Sequence, residues 1–264
     1  MCKKCTISRP ADFHVHLRTG RLMYLTLKFL VRYYNLIVAM PNIKDHPICT
    51  LEDLIWYRAQ VEATLEQLRN EGFLPRPREF QVLYMIKLTP QTTPAMIVEF
   101  KAEPDVVAMK EYPDNTTTNS MGGIPNIRAT GLLQETLRAM EQYDLPLSRH
   151  CEKPGVGLLQ AEMEALPDLC WLIRTYPKMR IVMEHVSTKE GTILILQAPA
   201  NVVATITIQH LLLTTNDVLG QNHNLCRPVA QSAEDLAFLI QCATSGNPKF
   251  FFGSDSAIHP SERK

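Results

Sequence analysis

Apolar residues along the chain fall into short runs, separated by longer stretches of helical or polar character. The runs are DFHVHL (12–17), NLIVAMPN (35–42), FQVLYMI (80–86), VVAMKEY (106–112), LPLSRHCE (145–152), RIVMEHV (180–186), VVATITIQH (202–210) and KFFFGSDS (249–256). Their length and their Val, Ile, Leu and Phe content predict buried β-strands. Between them, 50–72 keeps rough helical spacing through Leu54, Ile55, Ala59, Val61 and Leu65, while 128–144 and 232–246 also read as helices, the last with a glycine stop. Strands alternating with helices imply a parallel sheet covered by helices, and eight such units predict a closed α/β barrel of the (β/α)8 TIM type. No low-complexity linker or shift of composition divides the chain, so residues 1–264 are expected to form one domain. The eighth run is followed only by AIHPSERK. A barrel needs a final helix over strands eight and one, so the chain is expected to lack that helix and to be truncated at its C-terminus.

Composition narrows the function classes. Lys plus Arg and Asp plus Glu are 27 each, a formal net charge of zero, which argues against nucleic acid or an anionic membrane surface as a partner. No apolar run approaches the ~20 residues of a membrane span. The N-terminal MCKKCTISRP lacks the apolar core of a signal peptide and the pattern of a transit peptide, so the cytoplasm is the expected compartment. Seven scattered cysteines lack the density of a disulfide scaffold. Cys2 and Cys5 form a C-x-x-C with no second pair to complete a zinc knuckle, and read as incidental reduced thiols.

Barrel enzymes carry their chemistry at the C-terminal ends of the strands. Those ends here hold His14, His16 and Arg18, then Asn42, Lys110, His150, His185, His210 and Asp255, with His259 just beyond. Each has a bland reading: a hydrogen-bonded structural histidine, a lysine snorkelling to water, an aspartate in a turn. His210 divides evenly between the two readings, and His46 and His223, in predicted loops, are given no role. Together they suit a metal. His14 and His16 alternate, so one strand face presents two imidazoles to a Zn²⁺ ion. His150 and His185 could hold a second ion. A bridging anion is then needed, and alternation turns Glu111 outward if Lys110 faces in. A lysine that has added CO₂ is a carbamate with two oxygens, and Asp255 could close the first site.

HVHLR, AMPN, AMKEYPDNTTTNS, RHCE, MEHVSTKEG, ATITIQH and FFGSDSAIHPSERK, in this order, resemble the single-function, compact type of dihydroorotase within the amidohydrolase superfamily. The resemblance runs from about residue 7 to 264. It implies a hydrolase of cyclic amides that reversibly closes N-carbamoyl-L-aspartate to L-dihydroorotate, the third step of pyrimidine biosynthesis. It further implies two Zn²⁺ ions bridged by carboxylated Lys110 (N6-carboxylysine) and a hydroxide. One ion would be held by His14, His16 and Asp255, the other by His150 and His185, with Asp255 also the proton carrier. Arg18, Asn42 and His259 would bind the substrate carboxylate, and Thr117 and Thr118 would close over it on a mobile loop. The family also implies a homodimer.

Three departures from the family pattern stand out. Arg227 and Arg149 occupy positions where relatives usually carry apolar residues, and relatives continue past S-E-R-K. Two alternatives are therefore carried: an inactive dihydroorotase homologue or fragment, and another cyclic amidohydrolase of the hydantoinase type.

Overall fold

The computed structural model describes residues 10–74 and 79–259. The Cys2–Cys5 pair and the closing SERK fall outside them. Strands and helices alternate: β1 (Ala11–His16), α1 (Gly20–Tyr33), β2 (Leu36–Ala39), α2 (Leu51–Asn70), β3 (Gln81–Lys87), α3 (Pro94–Ala102), β4 (Val106–Glu111), α4 (Leu132–Gln142), β5 (Leu147–His150), α5 (Ala161–Thr175), β6 (Ile181–Glu184), α6 (Lys189–Gln197) and β7 (Val202–Ile206). An excursion with the short α7 (Thr215–Val218) follows, then α8 (Ala233–Thr244), β8 (Phe250–Phe252) and β9 (Ser256–Ala257). The sheet order is β8-β7-β6-β5-β4-β3-β2-β1-β9, and β1 pairs parallel with both β2 and β9. Because β9 follows β8 after only Gly253, Ser254 and Asp255, the sheet closes on itself as a TIM-type barrel.

Local signals explain the helices. α1 buries Met23, Thr26, Leu27, Leu30 and Val31 on one stripe at helical spacing. Thr50 with Asp53, and Ser232 with Asp235, form capping boxes at the starts of α2 and α8, satisfying backbone donors that the first turn leaves unpaired. No helix among the described residues is long and apolar enough to cross a membrane.

Alternation sorts the strand residues into two environments. Ile37 and Ala39 join the large core between sheet and helices, whereas Val38 and Met40 meet Met85 and Ala108 in a small apolar cluster. Two residues beyond Ala108 on the same face stands Lys110, fully buried. The barrel interior thus turns from apolar to polar toward the C-terminal strand ends.

The eighth strand is not the single run expected from 249–256. It breaks at Gly253–Asp255: Gly253 donates to the Ile206 carbonyl at 3.3 Å, Ser254 to Asp12 Oδ1 at 2.8 Å and Asp255 to the His14 carbonyl at 2.9 Å. Its first half therefore pairs with β7 and its second with β1. A Cβ at Gly253 would stand 2.8 Å from the His14 Cβ, so only glycine allows this approach. The seventh strand is also shorter than expected, ending at Ile206, and His210 lies on a 3₁₀ turn (Gln209–Leu211).

Candidate functional site

A cavity of about 620 Å³ opens at the C-terminal ends of the strands. It is lined by His14, His16, Arg18, Asn42, Thr117, Thr118, His150, His185, Asp255 and His259. Of the residues singled out at the strand ends, Lys110, buried at 0% exposure, and His210 do not line this wall.

Asp255 Oδ1 lies 3.3 Å from His14 Nε2 and 3.0 Å from His16 Nε2, and the three groups form a metal-competent cluster. His150 Nδ1 and His185 Nε2 face each other at 3.1 Å. Burial holds the His16 ring down to about 4 despite the neighbouring Asp255. Burial lowers His150 despite Glu152, and lowers His185 with help from His150 and Lys110. Neutral imidazoles of this kind are the form that binds metal. For Asp255, burial would raise the pKa, but His14 and His16 outweigh it and keep the carboxylate ionised.

The Lys110 Nζ has no hydrogen-bond partner. Burial lowers its pKa, against the attraction of Glu184 and Asp255. It lies within electrostatic reach of His150 and His185. A buried amine without a hydrogen-bond partner, its pKa lowered by burial, keeps the free lone pair needed to add CO₂. The adjacent Glu111 faces the opposite way, as alternation requires, and meets Arg149 Nη1 at 3.2 Å. Arg149 is thereby accommodated at an outward position where an apolar residue was expected.

Two buried carboxylates orient the imidazoles, and neither was singled out in the sequence. Glu184 Oε2 is 2.8 Å from His14 Nδ1 and 2.6 Å from Thr205 Oγ1, and Ser148 Oγ donates to its Oε1 at 2.5 Å. Burial would raise this carboxyl, yet His14 and Lys110 bring it down to about 2. His14 then donates from Nδ1 and turns Nε2 toward Asp255. Glu152 Oε2 is 2.6 Å from His150 Nε2, leaving Nδ1 toward His185. Carboxylate–histidine pairs of this type fix the ring that faces a metal.

Arg18 lies past the end of β1 with φ 62°, and its Nη2 is 3.2 Å from His259 Nε2. Asn42, in the loop beyond β2, donates to the Thr118 carbonyl at 2.9 Å and leaves its own Oδ1 unpartnered. Asn119 donates back to the Asn42 carbonyl at 3.2 Å, so the 113–120 loop is tied over the cavity. His210 takes the structural side of its two readings: Thr207 Oγ1 lies 2.8 Å from its Nδ1, and its Nε2 donates to the Pro228 carbonyl at 2.9 Å.

No family model matches the chain. The dihydroorotase of Coxiella burnetii is 37% identical over 268 residues, covering 99% of this chain and 73% of the relative. Among solved structures, the dihydroorotase of Campylobacter jejuni superposes with a TM-score of 0.85 at 32% identity, covering 96% of this chain and 71% of that one. The dihydroorotase of Saccharomyces cerevisiae, solved in complex with 5-fluoroorotic acid, gives a TM-score of 0.84 at 31% identity over the same shares, 96% and 71%. With such identity along nearly its whole length, the chain belongs to the dihydroorotases, metal-dependent enzymes of the amidohydrolase fold.

Proposed function

We propose that this dihydroorotase works with two Zn²⁺ ions, one at His14, His16 and Asp255 and the other at His150 and His185. Carboxylated Lys110 would give one oxygen to each. The reaction is the reversible closure of N-carbamoyl-L-aspartate to L-dihydroorotate, which places the enzyme in pyrimidine biosynthesis. On the same family reading it acts in the cytoplasm as a homodimer.

When bound, the two ions would polarise the reacting carbonyl and lower the pKa of the attacking water. The remaining work falls to side chains. Asp255, 3.0 Å from the His16 ring, takes the proton of that water in the hydrolytic direction and delivers it to the leaving ring nitrogen. In the biosynthetic direction it returns the proton as water departs. The Arg18 guanidinium matches the substrate carboxylate bidentately, with Asn42 and His259 sharing that anion. Thr117 and Thr118 hydrogen-bond the substrate from the loop that Asn42 and Asn119 tie down, and loop closure excludes water.

The observation that carries this reading is the fully buried Lys110 amine, which has no hydrogen-bond partner, at a site lined by two pairs of buried imidazoles. Its test is zinc content alongside dihydroorotate hydrolysis. The wild-type chain is expected to hold two zinc equivalents, and Lys110→Ala to lose activity and at least one of them. Near-normal turnover by Lys110→Ala would refute the carbamate role. A wild-type chain with no tightly bound zinc would instead favour the inactive-homologue reading.

A further inference from the structure

The cavity contains a second guanidinium that the reaction scheme does not use. Arg227, on the excursion between β7 and α8, lines the same wall as His150 and His185. Its Nε lies 3.2 Å from Glu152 Oε2, the oxygen that also sits 2.6 Å from His150 Nε2. Glu152 is wholly buried, at 0% exposure, and its other oxygen, Oε1, has no hydrogen-bond partner. One carboxylate oxygen is therefore shared between an imidazole and a guanidinium, and nothing among the described residues engages the other.

The backbone beside Arg227 is fixed as well. The Pro228 carbonyl accepts from His210 Nε2 at 2.9 Å and from Cys226 Sγ at 3.4 Å. His210 is itself oriented by Thr207 Oγ1 at 2.8 Å. Arg227 thus reaches Glu152 from an anchored position, with its side chain only 30% exposed.

We propose that Arg227 is a positioning residue for His150, acting through Glu152 to keep the ring with Nδ1 toward His185. The inference rests on His150 being a zinc ligand. Without the guanidinium, Glu152 keeps a single partner and can swing about its side-chain torsions, carrying the imidazole with it. A group touching a ligand histidine is worth ~10–100-fold in metal affinity. Arg227 stands one hydrogen bond further out, so roughly the lower end of that range, ~10-fold, is expected of it.

The test measures zinc affinity of the full chain by competition with a chromophoric chelator, using the metal alone. Arg227→Leu is expected to weaken one of the two zinc sites ~10-fold, and Arg227→Lys, which keeps a cationic donor, to restore part of the loss. Glu152→Gln, nearly isosteric, should weaken the same site by itself, and adding Arg227→Leu to it should cause no further loss. Wild-type affinity in Arg227→Leu, or an additive loss in the double variant, would overturn the proposal. His150→Ala separates it from the reading beneath it. Loss of one zinc equivalent supports His150 as a ligand, whereas unchanged zinc binding overturns that assignment and the role of Arg227 with it.

Discussion

Replacing Arg149 by leucine should unfold the protein more easily than its modest bulk change suggests. Glu111 and Arg149 are register partners on β4 and β5 and stand 3.2 Å apart, with side chains only 1% and 3% exposed. At an effective dielectric of ~20, opposite charges at that separation attract by about 5 kcal/mol. Yet Arg149 Nε and Nη1 and Glu111 Oε2 make no well-directed hydrogen bond. Burial already pushes the Glu111 carboxyl up, against the pull of Arg149. Arg149→Leu leaves that carboxyl buried without its cation, at a cost of ~3–5 kcal/mol. Glu111→Leu with Arg149→Leu removes both desolvation penalties, and stability should return to wild type or exceed it by ~1–4 kcal/mol. Urea unfolding followed by far-ultraviolet circular dichroism, at fixed zinc concentration, measures each variant. A single variant within ~0.5 kcal/mol of wild type, the ordinary scatter of surface substitutions, would refute the reasoning. So would a double variant as unstable as the single.

Other perturbations read the site more directly. Arg18→Met should raise KM for dihydroorotate far more than it lowers kcat, because the carboxylate clamp is lost; an unchanged KM would remove Arg18 from the substrate's surroundings. Glu184→Gln keeps the shape of the group bonded to His14, Ser148 and Thr205 but removes its charge. Zinc affinity should fall ~10–100-fold in a chelator competition. Gly253→Ala places a methyl 2.8 Å from the His14 Cβ, and thermal unfolding should show a loss of ~1–3 kcal/mol. A fully stable Gly253→Ala chain would mean that β1 and β8 can move apart without penalty.

Sequence periodicity exposed the barrel and much of its rim because the underlying geometry is periodic. His14 and His16 share a face by simple alternation, and Lys110 and Glu111 part company for the same reason. Where the backbone leaves that period, the pattern fails. His185 has φ 43°, so Glu184 and His185 both turn inward although they are neighbours. The same left-handed conformation occurs at Arg18 and Asp255, with φ 62° and 52°, and non-glycine residues held there are characteristic of functional sites. Glu152 was hidden for another reason. It stands two residues from His150 but past the end of β5, and its place in the site comes from side-chain contacts with His150 and Arg227 rather than from strand register. The Gly-Ser-Asp part of KFFFGSDS has the composition of a turn rather than a strand, but nothing in the sequence says that the two halves pair with different neighbours.

The way the barrel closes has a consequence for the order in which the enzyme becomes competent. His16 and Asp255 meet across 239 residues of chain, and proteins are synthesised from the N-terminus at ~5–20 residues per second. For at least ~10 seconds after β1 leaves the ribosome, its two imidazoles therefore lack their carboxylate partner. During that interval β1 has an open edge where β9 will later pair, an invitation to wrong strand partners. Pairing of these imidazoles with Asp255 is thus a late event in the synthesis of the barrel. Ions captured by His14 and His16 earlier would bind without Asp255, leaving room for exchange until the final strand is laid down.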